Sequence, residues 1–240
     1  MNALSAALIQ SLKVHQSRFH PLLLFDPDND RLVAMDLAES NADLDAEMVK
    51  DTEAFSRYIS GVLNDAKALY GIGGYAEKRS LYGRSELFDT GVAQNSQAQE
   101  PRRLHLGMDI WGPAGTPVHA FADGVVHSLG FNDRYGDYGA TLIIKHELDD
   151  LSFHTLYGHI SRGDLMGKEP GSTIVRGQEI AHFGQPFENG FWPPHLHFQV
   201  VIDMGEWQGD YPGVCKWSER EAYLGNSPDP DLIVQWNQYC

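Results

Sequence analysis

The period of the apolar residues changes partway along this chain. Near the start Leu4, Ala7, Leu8, Ser11 and Leu12 recur at helical spacing, which predicts a helix over residues 1–20 that Pro21 ends. Two apolar runs, 22–25 and 32–35, flank Asp26-Pro27-Asp28-Asn29-Asp30, a strand–turn–strand signal. The aspartate cluster lacks the Gly and terminal Glu of a calcium-binding loop and reads as a polar turn. From Asp45 to Leu69 the helical period is strongest. Met48, Phe55, Ile59, Val62 and Leu63 share one face, and Glu47, Lys50, Glu53 and Arg57 the other. Gly71-Ile72-Gly73-Gly74 is expected to close that helix. Residues 94–100 are polar and patternless, a linker signal, and a boundary is placed near residue 100.

From residue 103 onward the helical period disappears. Short apolar runs at 117–120, 124–128, 141–145, 153–157 and 195–202 are separated by Gly, Pro and Asp, and 171–181 reads as a turn-flanked strand pair. This spacing predicts a mainly β fold, an antiparallel sandwich or barrel-like hybrid, preceded by an α/β N-terminal region of hairpin and helices over residues 1–100. No internal repeat or low-complexity tract is visible.

The formal net charge of -15 on 240 residues argues against nucleic acid and anionic membranes as partners, because no basic surface is available to meet them. No window approaches the ~20 apolar residues of a membrane span. The first ten residues carry no cation, and Gln10, Lys13, His15 and Arg18 interrupt the apolar run, so no signal peptide is expected and the location is expected to be cytoplasmic. A removed export signal would make it periplasmic or extracellular. Cys215 and Cys240 do not form a disulfide framework, and Cys215 reads as a buried thiol.

The chemistry sits in three short patterns. In His195-Leu196-His197 the next residues continue as a strand, and residues i and i+2 of a strand project from one face, so both imidazoles enter the same space. His105 and Asp109 are separated by a segment containing Gly107, which suits a strand or loop that could turn both side chains toward one ion. His159 follows Leu156-Tyr157-Gly158 at a strand end, where sites on a β scaffold tend to be built. Taken singly, each pattern has a plain alternative: two half-exposed histidines on an edge strand, a turn aspartate, a structural histidine. Three N/O ligands with an open position suit a catalytic zinc, and the remaining two histidines could then handle protons.

In order and context, His105-x-x-x-Asp109, Tyr157-x-His159 and His195-x-His197 resemble the lysostaphin-type zinc metallopeptidases, glycyl-glycine endopeptidases that cut peptide cross-links in bacterial cell walls. Arg103, Gly107, the run Gly115-Thr116-Pro117-Val118, the run Ala122-Asp123-Gly124-Val125-Val126 and Phe198 extend the match, over roughly residues 103–202. The resemblance implies a zinc metallopeptidase-like β domain with a C-terminal extension over 101–240, on which residues 1–100 pack. It implies that Zn2+ is held by His105, Asp109 and His197, with His159 and His195 as the non-ligating catalytic pair. The substrate implied is a peptide or peptidoglycan-derived chain. Which of His159 and His195 acts as general base stays open.

Elsewhere the chain departs from that family. The small Ser/Thr-Gly segment usual before His-x-His is replaced by Glu188-Asn189-Gly190-Phe191-Trp192-Pro193-Pro194, and Gln199 stands where a Glu is common. Stiff Trp192 and Pro193 should reshape the cleft and put Gly-Gly specificity in question. These residues, residues 79–85 and Gly213-Val214-Cys215 also resemble a subgroup fused to kinase-like and aminotransferase domains. Arg79 and Arg84 have two readings, salt bridges on the domain surface or carboxylate binding near the cleft. His119, His127, His146, His154 and His182 are expected to be structural or exposed. A non-hydrolytic zinc- or peptide-binding module and a cytosolic hydrolase of a small amide are the alternatives to a peptidase.

Overall fold

A computed structural model describes residues 3–89 and 100–240. Most of the linker expected at 94–100 therefore lies outside the described residues. In chain order the elements are α1 (Ala3–His15), β1 (Leu32–Ala34), α2 (Ala46–Lys50), α3 (Thr52–Ala66), β2 (Tyr70–Gly73), β3 (Arg102–His105), β4 (Met108–Trp111), β5 (Pro117–His119), β6 (Gly124–Asn132), β7 (Gly139–Leu148), β8 (Leu151–Ile160), β9 (Thr173–Ile174), β10 (Glu179–His182), β11 (His195–Val201), β12 (Val214–Lys216), α4 (Arg220–Asn226) and α5 (Asp231–Val234).

The fold is mainly β, as the punctuated apolar runs predict. Eight strands form one sheet in the order β1-β2-β4-β11-β8-β7-β6-β9, and the pairs β10-β5 and β12-β3 stand apart from it. The sheet is antiparallel except between β1 and β2, which run parallel, so it is mixed and does not close into a barrel. Its centre is carried by β7, β8 and β11, whose residues are buried on both faces, and Leu142, Ile144, Tyr157, Leu196, Phe198 and Val200 form the main core with Phe121 and Phe153.

The N-terminal half departs from expectation in three places, each for a local reason. The helix expected over 45–69 is two helices, because Asp51 interrupts it as an N-cap, its carboxylate accepting from the amides of Glu53 and Ala54. Phe55 and Ile59 still form the buried stripe. Gly71–Gly73 do not close that helix. They lie in β2, where a Cβ on Gly71 would stand 2.6 Å from the Met35 side chain, so glycine serves close packing. Residues 22–25 are not a strand: Leu22 and Leu23 are buried in the core, and Pro21 and Pro27 remove amide donors at both ends of the run. The expected pair within 171–181 is divided as well, β9 pairing with β6 and β10 with β5.

Two consequences matter for the site. β2 pairs antiparallel with β4, so the N-terminal region extends the sheet at the strand that carries Asp109. No described helix is long and apolar enough to cross a membrane.

Candidate metal centre

Strand register does most of the assembly. β4 and β11 are antiparallel with His197 opposite Asp109 and His195 opposite Trp111. Facing residues on adjacent strands project from the same side of the sheet, so one ladder delivers Asp109, His197, His195 and Trp111 to one place. His105 comes from β3, whose partner is β12, and reaches the same point from outside the large sheet. His159 is the penultimate residue of β8, with a left-handed φ of 61° that its backbone bonds to Tyr138 and Gly184 hold in place. All five residues are buried.

His105, Asp109 and His197 converge as a ligand set. His105 Nε2 lies 2.8 Å from His197 Nδ1 and 3.3 Å from Asp109 Oδ1, and His197 Nδ1 lies 3.2 Å from the same oxygen. The outer nitrogens are already committed. His105 Nδ1 donates to the Gly74 carbonyl at 2.8 Å, and an oxygen with no proton can only accept. His197 Nε2 donates to Gln199 Oε1 at 2.9 Å, while the amide nitrogen of Gln199 donates to Pro212 O and Ser227 Oγ. With the outer nitrogens so placed, His105 Nε2 and His197 Nδ1 point inward, toward each other and the Asp109 carboxylate. Three acceptors with no proton among them repel one another unless a cation sits between them, and outer contacts of this kind are how proteins orient metal-binding histidines. The residues fit a metal ion.

Electrostatics agree with that reading. Burial disfavours the Asp109 carboxylate, but His105 and Arg79 beside it outweigh burial and hold it well below the usual carboxylate range. Burial pushes His105 down to about 4, so its ring is neutral at pH 7. His195 is also lowered to about 4 by burial, and His159 is lowered well below its ordinary value by burial and by His195 beside it.

His159 and His195 form a second pair with ring centroids 4.1 Å apart. His159 Nδ1 donates to Asn189 O at 2.8 Å and His195 Nδ1 to Pro193 O at 2.7 Å, which leaves Nε2 of both as the free, proton-accepting atom. Trp111 stacks on His195 at 4.0 Å and 17° and fixes its ring plane. The loop supplying those two carbonyls is itself clamped. Arg84 Nη2 donates to Phe191 O at 3.0 Å and to Tyr135 Oη at 2.8 Å, and its guanidinium lies 4.3 Å over the Trp192 ring.

The five residues named from the sequence are thus brought together, and they line one cavity of about 260 Å³. Trp192, expected at its rim, forms a wall with Tyr82, Phe88 and Trp207. Arg79 and Arg84 are both buried, at 1% and 6% exposure, which corrects the surface reading. Arg79 lines the cavity and Arg84 stands behind Trp192. The bland reading suits the other histidines. His146 is buried between Asp123 O and Thr155 Oγ1, His154 packs on His127, and His182 pairs with Asp164 at the surface. Cys215 is buried, and burial raises its thiol to about 12.

Sequence reasoning missed Tyr82, Gly74, the supporting role of Trp111, and Tyr138, whose Oη lies 3.3 Å from His197 Nε2. Trp111 left a signal, since it stands two residues from Asp109 on a strand. The others left none, because long-range pairing alone brings them near.

Residues 103–208 match the profile of peptidase family M23. Over those residues the chain is similar to the M23 peptidases. The chain is 34% identical over 128 residues to the L-Ala--D-Glu endopeptidase of Bacillus subtilis strain 168, a match covering 50% of this chain and 37% of that protein. It is 38% identical over 101 residues to the DD-carboxypeptidase/endopeptidase Mpg of Neisseria meningitidis serogroup B, covering 42% of this chain and 21% of that protein. It is 30% identical over 143 residues to the peptidoglycan DD-endopeptidase ShyC of Vibrio cholerae serotype O1, covering 56% of this chain and 30% of that protein. The chain thus spans well under half the length of these curated relatives. His105, Asp109, His159, His195 and His197 all fall inside the M23 segment, whereas Gly74, Arg79, Tyr82 and Arg84 fall before it.

Proposed function

We propose that this chain is a zinc-dependent endopeptidase that hydrolyses an amide bond in a peptide of bacterial cell-wall type. The observation that carries the reading is the convergence of three inward-facing ligand atoms, two nitrogens and one oxygen, beside two buried imidazoles whose free Nε2 atoms share their cavity. Ligand atoms about 2.0–2.1 Å from a tetrahedral zinc stand ~3.3 Å from one another. The two N···O separations here, 3.2 and 3.3 Å, match that spacing, and the N···N separation of 2.8 Å is shorter than it. Two histidines and one carboxylate form a ligand set that zinc accepts with a coordination position to spare.

When bound, zinc would supply Lewis acidity toward a carbonyl and acidify a water. The chain's own residues would do the rest. His105 and His197, held by Gly74 and Gln199, and Asp109, through Oδ1, would be the ligands. His159 and His195 are neutral with Nδ1 tied to carbonyls, so either can take a proton at Nε2 as general base and return it to the leaving amine. A histidine that has gained the proton is a donor for the developing oxyanion. In this reading residues 1–100 brace the centre and residues 101–240 carry it.

The relatives' names point to L-Ala–D-Glu and DD bonds of peptidoglycan as the substrate class. A cell-wall substrate would put the reaction outside the cytoplasm, against the cytoplasmic expectation drawn from the N-terminus, and cell fractionation separates the two. One observation favours a smaller amide instead: Leu81, Tyr82, Leu87 and Phe88 wall one side of the cavity with residues from before the M23 segment.

The test combines metal analysis with cleavage of muropeptides, Gly-containing peptides and short amides by the purified chain. One zinc per chain with cleavage of a muropeptide is the expected result. Cleavage of short amides alone would transfer the assignment to the small-amide reading. Zinc at one equivalent with no cleavage at all would leave a binding module.

A further inference from the structure

Asp109 has two carboxylate oxygens, and only Oδ1 faces the histidines. Oδ2 accepts a 2.5 Å hydrogen bond from Nη1 of Arg79, a side chain that is 1% exposed. The guanidinium is held on another edge by Glu77, whose Oε2 accepts from Nε at 2.5 Å, and Tyr82 Oη accepts from Nη1 at 3.4 Å. A buried charge is tolerated only when paired and hydrogen-bonded, so this guanidinium is fixed by its carboxylates as much as it fixes them. The planar fork reaches both carboxylates from one rigid group, which an ammonium cannot copy.

The placement follows from the sheet. β2 pairs with β4 so that Gly73 stands opposite Asp109, and the chain beyond it passes directly behind the ligands. Gly74 O receives the His105 Nδ1 proton, and a Cβ on Gly74 would stand 1.8 Å from Arg79 Nη2 and 2.9 Å from His105 Nδ1. Glycine at 74, with φ +98°, thus lets one short segment brace two of the three ligands. None of it lies within the matched M23 segment.

We propose that Arg79 is a positioning residue of the metal centre, occupying Oδ2 of Asp109 so that the carboxylate offers the metal Oδ1 alone, in a fixed plane. The proposal rests on the metallopeptidase reading and adds that the centre is incomplete without residues 74–79. Lost outer-shell partners commonly cost 10–100-fold in metal affinity.

The test uses the full chain, with Zn2+ affinity measured by chelator competition and the absorption spectrum of the Co2+-loaded protein. Arg79→Met is expected to weaken Zn2+ binding about ten- to a hundredfold and to alter the Co2+ spectrum, since Asp109 is free to turn. Arg79→Lys should recover part of the affinity. Should Arg79→Met fail to fold, Glu77→Gln carries the test: it leaves Arg79 in place but replaces the charged acceptor at its Nε edge with a neutral one, and a smaller weakening with a shifted Co2+ spectrum is expected. Unchanged or tighter Zn2+ binding in the folded variant overturns the proposal. Weaker binding with an unaltered Co2+ spectrum does so too, because a general loss of packing would give that result. If the unsubstituted chain binds no Zn2+, the metal reading falls and takes this proposal with it, an outcome distinct from a wild-type site that Arg79→Met leaves untouched.

Discussion

Asp109 and His197 face each other across an antiparallel ladder, and the 3.2 Å between Oδ1 and Nδ1 is set by that register. The pair is a property of the sheet as much as of either residue. A slip of β11 by one position would turn His195 and His197 to the face opposite Asp109 and abolish the centre. Metal affinity should therefore respond to small changes in the backbone around β4 and β11.

Gly107 tests that rigidity. A Cβ there would lie 2.5 Å from the His197 ring and 2.9 Å from Phe198 O. Gly107→Ala is expected to cost about 1–3 kcal/mol of stability through overpacking, and to lower zinc affinity at least tenfold if the ring is displaced. Denaturant unfolding with chelator competition checks both. Wild-type affinity in this variant would show that the ring has room the structure does not display.

The two classes of histidine should separate cleanly. His195→Ala is expected to keep its zinc and to lose about 10²–10⁴ in kcat, the usual range for a general acid–base. His105→Ala is expected to lose the zinc as well. Metal content beside steady-state kinetics distinguishes them, and a zinc-free His195→Ala would reverse the ligand assignment.

Removing the metal should loosen the fold, because the proposed ligands come from β3, β4 and β11 and tie the β12-β3 pair to the large sheet. Zinc at a thousand times its Kd adds about 4 kcal/mol to stability. A chelator should lower the unfolding midpoint accordingly, and zinc should restore it. A midpoint indifferent to chelator argues that no metal is held.

Trp192 is buried between Arg84 and the His159–His195 pair, with ring centroids 6.2 Å from His159 and 6.3 Å from His195. Trp192→Ala should cost roughly 3–5 kcal/mol and widen the cavity, changing the order of preference among peptide substrates. Relative kcat/KM across a peptide panel is the readout. An unchanged order would remove Trp192 from any role in specificity.

Acid should weaken the fold through His146, which lies away from the metal. Burial lowers it to about 4, against 6.5 for an unburied ring. Between those values the unfolded chain binds a proton that the folded one refuses, so stability falls as pH drops from about 6.5 to about 4 and is fully present above 6.5. The contribution is roughly 3 kcal/mol if fully expressed. Urea midpoints at pH 7 and pH 5 measure it, and His146→Gln should reduce the difference between them.

Much of the centre was legible beforehand because β geometry is local in period. A strand alternates faces every two residues, so His195-x-His197 placed two imidazoles together before any fold was known, and the strands of the second half announced themselves by Gly and Pro punctuation. The N-terminal half was read less well. Asp51 ended one helix and began another within a continuous apolar stripe, and Gly71–Gly73 carried no sign that they would be a strand packed on Met35.

The sequence by itself determined the types of the proposed ligands, their order along the chain and the β scaffold that presents them, since these follow from residue chemistry and a two-residue period. Only the tertiary structure decided what stands behind the ligands. Arg79 and Gly74 are distant from Asp109 in sequence and meet it because β2 joins the sheet beside β4, a pairing that no local pattern encodes. The tautomers of four histidines depend likewise on acceptor oxygens whose positions are fixed by packing: Gly74 and Gln199 for His105 and His197, Asn189 and Pro193 for His159 and His195.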